Sequence, residues 1–392
     1  MGNARHVGRF PAVCALSFLA GAVVRAQPPP SSDSAEPDVE PEVRGRVEMY
    51  ADDDRTTVWR PRVTGAVERP EGFRVGASWM ADVVSSASID VLTRASKPIE
   101  ETRHEMGVRG AWLGRDSAEL SVGYLYGFEP DHASHTLSLG AAADLDEARL
   151  WNGSAALALS QARIGTVVDE RFEEHSRTVA LSARLARVVN PRTVLRGGLE
   201  LAGVFGFQAS PYRTVRLGDW TAMPYSGDDP DATPWVFSGV TGVVRESHPE
   251  RRLRARVVVD GVRALGERAA IQGAISGYVD DWGMLAGTLR GELRWEPHRV
   301  WMLRFGLRAY LQDAVWFWRR RYIDGQETRG HVTDDKELGP LRSFSALAAV
   351  AATFEPFALG ARVELVRYAY PEFTLLPHKH ALIVQLGVTY RP

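Results

Sequence analysis

The chain has 392 residues, a formal charge of −2 and one cysteine, Cys14, so disulfide frameworks and thiol chemistry are excluded for all but the leader. Its 47 Lys and Arg against 49 Asp and Glu leave no basic excess for nucleic acid. After the leader no apolar run approaches the roughly 20 residues that a spanning helix needs, which excludes helical membrane proteins.

In chain order, Arg5 and Arg9 precede an apolar run from Phe10 to Val24, and Val24-Arg25-Ala26 stands ahead of Gln27. This pattern predicts a cleaved signal peptide over residues 1–26. Residues 27–42 carry Pro28-Pro29-Pro30 and the acids Asp33, Glu36, Asp38, Glu40 and Glu42 without a base or an aromatic. Such a stretch cannot bury a core, and it reads as a disordered, acidic periplasmic tether.

From Val43 to the end, residues 43–392, segments with a period of two recur between Gly, Pro and Asn punctuation. The last of them sets Leu382, Val384, Leu386, Val388 and Tyr390 against Ile383, Gln385, Gly387, Thr389 and Arg391. Alternating lipid and lumen residues predict an all-β fold, a single transmembrane antiparallel β-barrel of about 16 strands in a bacterial outer membrane. Short turns are expected at 69–72, 113–116, 144–149, 190–192, 265–268, 296–299 and 355–356, and long loops at 90–101, 165–173, 210–249, 319–340 and 371–378. Trp112, Trp295 and Trp301 beside short turns suit an interfacial girdle.

Strand parity then assigns the walls. Leu285, Leu289, Leu293 and Trp295, with Trp301, Leu303, Phe305, Leu307 and Leu311, would face lipid. Facing the lumen would be Arg252, Arg254, Arg256, Arg290, Arg294, Arg304, Arg308 and Arg362, against Asp260, Glu292, Glu296 and Glu364. An Arg on the lipid side costs about 2–4 kcal/mol near the midplane, which makes the inward assignment firm. Such a wall suits anionic solutes, since guanidinium forks hold carboxylate and phosphate; equally, Arg and Glu can tie strands together in a filled barrel.

A polar cluster at the mouth is expected from Asp82, Ser86, Ser88 and Asp90 on one strand and Glu101, Arg103, Glu105 and Arg109 on the next. A turn centred near Ala95 would set Asp82 opposite Arg109 and Asp90 opposite Glu101. Acid pairs at Asp52-Asp53-Asp54, Asp228-Asp229, Asp280-Asp281 and Asp334-Asp335 match no calcium loop and read as solvated loop tips. His132 with His135, and His378 with His380, lack further ligands, so no metal is expected. In Trp316-Phe317-Trp318-Arg319-Arg320-Arg321 the aromatics would lie where outer lipid ends, with the arginines on lipopolysaccharide phosphates. Ser134-His135 and His175-Ser176 cannot be nucleophile and base to each other, because neighbours on a strand point to opposite faces. No catalytic residue, cofactor or phosphate loop is read.

Four stretches, Y-A-D-D-D-R-T-T from Tyr50, D-V-V-S-S-A-S-I-D from Asp82, E-T-R-H-E from Glu101 and D-D-W-G from Asp280, with S-P-Y-R from Ser210, resemble the outer-membrane family known as domain of unknown function 3570. The resemblance implies a bacterial barrel and no reaction. Barrels similar to this one end in an aromatic that the barrel-assembly machinery reads, whereas this sequence closes on Tyr390-Arg391-Pro392. The expected function is a passive, porin-like channel with an anion-preferring lumen, not an enzyme, whose partners are outer-membrane lipids, lipopolysaccharide, the assembly machinery and small anionic solutes. The alternative is a non-conducting scaffold for a surface or periplasmic assembly, flavin- or redox-linked by the gene neighbourhoods of such families; the third is a lipid-modifying enzyme.

Overall fold

Alternation along each segment gives every strand one apolar and one polar face, and only a closed sheet satisfies all its backbone groups in lipid. The computed structural model describes residues 40–69, 72–86, 99–114, 117–227 and 235–392; the signal peptide, the tether up to residue 39, and Ser88, Asp90 and Asp228-Asp229 lie outside them. Among the described residues there is no helix. Nine strands open the barrel: β1 (Glu40–Asp52), β2 (Thr56–Arg69), β3 (Phe73–Ser86), β4 (Ile99–Leu113), β5 (Glu119–Glu129), β6 (His132–Asp144), β7 (Trp151–Ile164), β8 (Glu174–Asn190) and β9 (Thr193–Gly206). Four short strands follow in one loop: β10 (Thr214–Leu217), β11 (Thr221–Pro224), β12 (Trp235–Ser238) and β13 (Gly242–Arg245). The barrel resumes with β14 (Arg251–Ala264), β15 (Ala269–Asp280), β16 (Leu285–His298), β17 (Trp301–Gln312), β18 (Leu341–Phe354), β19 (Phe357–Ala369) and β20 (His378–Tyr390).

All sixteen long strands pair antiparallel with their neighbours, and β1 pairs with β20 from Val43↔Tyr390 to Asp52↔Ala381, so the sheet has no edge. A 12-residue strand such as β17 rises roughly 40 Å, or about 28 Å when tilted by ~45°, enough for the hydrocarbon layer. Both ends of the sheet lie at the end with short turns; the long connections gather at the other, the loop end. β1 starts at Glu40, so Glu40, Pro41 and Glu42, counted with the tether by composition, belong to the wall. Composition sees only their charge. In the fold Glu42 accepts from Arg391 Nε at 2.6 Å and pairs with Arg44.

The register of β3 on β4 differs from the expected one. Asp82 stands opposite Arg103, and Arg109 opposite Gly76, a shift of six residues. An even shift leaves every side chain on its face, so alternation cannot detect it. The turn end decides it. Phe73 meets Trp112 in the outer aromatic row, and Leu113 N donates to Gly72 O at 2.6 Å. Gly72 sits at φ 82°, where a Cβ would fall 2.5 Å from Leu113 O, so this contact requires glycine.

The loop end carries the packed core. β10 pairs with β13 and β11 with β12, forming a folded-over arm from the 207–250 loop. It is bridged to the 313–340 loop at Leu217↔Tyr322 and Ser247↔Val332. Two apolar clusters fill the cap: Trp282, Met284, Val315, Phe317, Trp318 and Leu338, and Val215, Tyr322 and Val332. Phe317 and Trp318 are therefore cap core rather than girdle, because the 313–340 loop packs on Trp282 and Met284 and buries them; Trp316 alone of the three is exposed.

The acid pairs are structural too. Asp280 accepts from the backbone N of Trp282 and Met284, both at 3.0 Å, and from Arg252 at 2.8 and 2.5 Å. Asp52 receives Tyr50 Oη at 2.8 Å and Lys379 Nζ at 3.0 Å, and Asp54, Asp334 and Asp335 are buried. A short carboxylate can close a tight turn onto its own backbone, and for Asp54, Asp280, Asp334 and Asp335 burial replaces the solvated role read from the sequence, whereas Asp53 and Asp281 are exposed. Replacing Asp280 by Ala removes two turn acceptors and strands a buried guanidinium. It is expected to cost about 3–5 kcal/mol, seen as a lower temperature for loss of the heat-modifiable folded band on gels.

Candidate functional site

Sixteen strands are enough to leave an aqueous lumen, and the inner wall is the candidate site. On β16 the outward Leu289 is 61% exposed and the adjacent inward Arg290 is exposed as well. Elsewhere the inner row is more enclosed: Glu292 and Gln312 are buried, and Arg304, Arg308 and Tyr310 half-buried. Outward Leu285, Leu293, Trp295, Trp301, Phe305, Leu307 and Leu311 are exposed, on the faces expected for lipid. Trp112, Trp295 and Trp301 stand outward near the turn end.

Of the eight inward arginines, five meet carboxylates. Arg252 is buried on Asp280 and lies 4.2 Å over the Trp282 ring. Arg256 donates to Glu200 at 3.3 Å, a carboxylate shared with Arg184. Arg304 grips Glu292 in a fork at 2.9 and 2.8 Å, and Arg294 reaches the same Glu292 at 3.2 Å. Arg362 donates to Glu364 on its own strand. Asp260 accepts from Arg196 Nε at 2.7 Å, a partner the sequence reading missed because it lies on β9, 64 residues away.

The remaining three, Arg254, Arg290 and Arg308, have no carboxylate partner among the described residues. Arg254 is inward, with a buried Nε that has no hydrogen-bond partner. Arg290 and Arg308 face each other directly across β16 and β17. Like charges in register repel. Two rows toward the turn end, the equivalent pair Arg294↔Arg304 is bridged by Glu292, whereas Arg308 stands opposite Ser345 on its other side, with the Tyr310 ring of the next row 5.2 Å from its guanidinium. Converting Glu292 to Gln would unmask two more guanidiniums; anion preference is expected to rise about fourfold, one unit charge in a water-like lumen, measured as a reversal-potential shift.

The expected mouth cluster is divided among separate ladders. Asp82 accepts from Arg60, which also reaches Glu48 at 3.1 Å, linking β1, β2 and β3. Ser86 Oγ lies 2.7 Å from Thr56 Oγ1. Arg103 lies 3.7 Å from Glu105 and 3.6 Å from Glu129, and Arg109 lies 3.5 Å from Glu119. Carboxylate oxygens of Glu101, Glu129 and Asp131 come within 4.8 Å of one another, a set that a hard cation could use, with Tyr212 donating to Asp131. His135 points outward to Tyr124, at 2.7 Å, and Ser134 inward, so the two do not meet.

Loop residues shape the outer opening. Lumen-facing Gln312 donates to Glu337 O at 2.8 Å and Gly339 O at 2.9 Å, which draws the 335–339 segment over the β17–β20 side of the lumen. Arg213 pairs with Asp335 and lies 3.8 Å from Glu246. Glu246 also accepts from Thr333 Oγ1 at 2.6 Å and Ser210 N at 3.0 Å, with His248 at 3.3 Å. Burial would raise the Glu246 carboxyl; Arg213, His248 and Thr333 overcome this and hold it down at about 2. Glu337 is half-buried, and burial pushes its carboxyl up; Asp335 adds to the rise, and Lys336, Lys379 and Arg213 offset part of it.

Residues 89–372 match the model of the family described as a protein of unknown function, DUF3570. The chain belongs to this family. Among curated proteins no sequence matches. Of solved structures, a bacterial polysaccharide outer membrane secretin is similar at TM-score 0.51 and 11% identity, over 90% of this chain and 98% of that one. CdiB from Acinetobacter baumannii aligns at TM-score 0.49 and 9% identity over 88% of this chain and 60% of its own. OccK5 (OpdH) from Pseudomonas aeruginosa aligns at TM-score 0.42 and 11% identity over 91% and 98%. At these identities the likeness is one of fold. This DUF3570 member thus has the barrel fold of bacterial outer-membrane proteins, with a paired arginine ladder interrupted by one unpaired layer.

Proposed function

We propose that this DUF3570 barrel lies in a bacterial outer membrane, loop end outward, and serves as a passive channel for small anionic solutes. The observation that carries this reading is the Arg290↔Arg308 layer, two guanidiniums in register, one exposed and one half-buried, with no carboxylate between them. Repulsion in that layer is relieved when an anion sits between the forks. The paired layer at Glu292 fixes the wall beneath it, so the anion meets a preorganised surface.

The test is single-channel recording of the refolded chain in planar bilayers under a salt gradient. Steady currents with a reversal potential toward the anion equilibrium value support the channel; cation-selective currents overturn the anion preference. A second reading, a non-conducting scaffold, draws support from the packed cap over the mouth. Its signature is a folded, inserted barrel that stays silent.

A further inference from the structure

At the loop end, the outward face of β17–β19 changes from apolar to basic within two rows. Arg342 lies in register with Leu311, and Arg367 with Phe344; one row below come Leu365 and Ala346. Both arginines are exposed and, among the described residues, meet no carboxylate. From the same strand ends, at Asp313 and Pro340, opens a groove of about 720 Å³ lined also by Trp318, Arg319, Arg320, Arg321 and Glu372.

The three consecutive arginines are exposed and likewise have no carboxylate partner among the described residues. Arg319 is held in place, its Nη1 donating to Trp316 O at 2.9 Å and Trp318 O at 2.7 Å, and Arg321 lies 5.8 Å over the Trp220 ring. Five guanidiniums against the two carboxylates Asp313 and Glu372 leave the rim basic, at the level where acyl chains give way to headgroups. Arginine forks match phosphate bidentately, and an apolar row beneath them matches acyl chains.

We infer that the β17–β19 rim is a binding site for a phosphate-bearing glycolipid of the outer leaflet. Its acyl chains lie on Leu311, Phe344 and Leu365, and its phosphates on Arg342, Arg367 and the Arg319–Arg321 groove. The inference rests on the outer-membrane reading but not on conduction.

The experiment places the chain in nanodiscs containing either bisphosphorylated lipid A or its dephosphorylated form and counts co-ejected lipids by native mass spectrometry. Wild type is expected to retain the bisphosphorylated lipid about tenfold more. Arg342→Gln with Arg367→Gln, and separately Arg319→Gln, Arg320→Gln and Arg321→Gln together, are each expected to abolish most of that preference. The outward Arg177→Gln on β8 should leave it unchanged. Equal retention of the two lipids, or retention untouched by either variant, overturns the site. Displacement by millimolar inorganic phosphate also overturns it, in favour of a free-anion groove. A chain that fails to insert at all overturns the membrane reading and this site with it, whereas an inserted, heat-modifiable barrel that does not discriminate overturns the lipid site alone.

Discussion

Converting Arg290 and Arg308 together to Gln is expected to lower the anion-over-cation permeability ratio roughly five- to tenfold in 0.1 M salt, because each unit charge ~5 Å from a solute contributes on the order of 0.8 kcal/mol in water-like surroundings. The two side chains share one layer and have no carboxylate to release, so removing them subtracts positive potential and adds none elsewhere. Arg304→Gln makes the contrast. There the loss of one guanidinium exposes Glu292, so selectivity falls and wall stability falls with it, whereas the double variant should keep the wild-type unfolding temperature. A permeability ratio that does not move in the double variant would remove the anion layer from the account. The effect should also shrink as salt rises to 1 M, where the screening length drops to about 3 Å.

The second large effect concerns the cap. Glu246→Gln leaves His248 buried without its carboxylate and Arg213 with Asp335 alone, and weakens the acceptor for Thr333 and Ser210. Breaking a buried pair in this way costs about 3–5 kcal/mol, and the loss should stay local because the cap joins the barrel through few strands. Trypsin cleavage at Arg319–Arg321 is then expected to accelerate on the order of a hundredfold while the β-barrel stays heat-modifiable. If the 335–339 segment limits flow, current per channel rises in the same variant.

The pH response follows from two carboxyls of opposite sign. Glu246 is depressed, so its contribution is present above the ordinary carboxylate range and is lost only as pH falls toward about 2. Glu337 is raised, so its contribution is present below the ordinary carboxylate range and is lost as pH climbs through its elevated value. Acidification should therefore tighten the cap, and Glu337→Gln should remove that pH dependence of its protease resistance. A cap that loosens between pH 8 and pH 5 would contradict this balance.

Much of this architecture was legible before any coordinates, and the reason is lipid. Because a misplaced Arg costs about 2–4 kcal/mol near the midplane, the faces of β14, β16, β17 and β19 follow from parity, and Leu253, Leu289, Phe305 and Leu365 on the apolar faces are exposed. Pairing was not legible. Asp82 meets Arg103 rather than Arg109, and nothing in a period of two distinguishes registers that differ by six. Likewise Arg196 and Glu200 on β9 reach β14 across the whole arm of the 207–250 loop, so local sequence carries no trace of them. The cap was illegible for another reason: Phe317 and Trp318 satisfy a lipid girdle and a protein core equally well, and only the packing of the 313–340 loop on Trp282 and Met284 decides.

The seam between β1 and β20 has a consequence for assembly. Glu48 and Gln385 are 337 residues apart and hydrogen-bond at 3.0 Å in the finished wall, so the first strand made is also the last to be satisfied. Until then β1 presents a row of open backbone donors and acceptors, each costly in lipid and each able to template a stranger's strand. A nascent wall of this kind must be shielded until its own final strand arrives. Premature release would favour sticky sheets or chains zipped to one another over a smaller working barrel, which makes the seam a checkpoint on the entire sequence between its two sides.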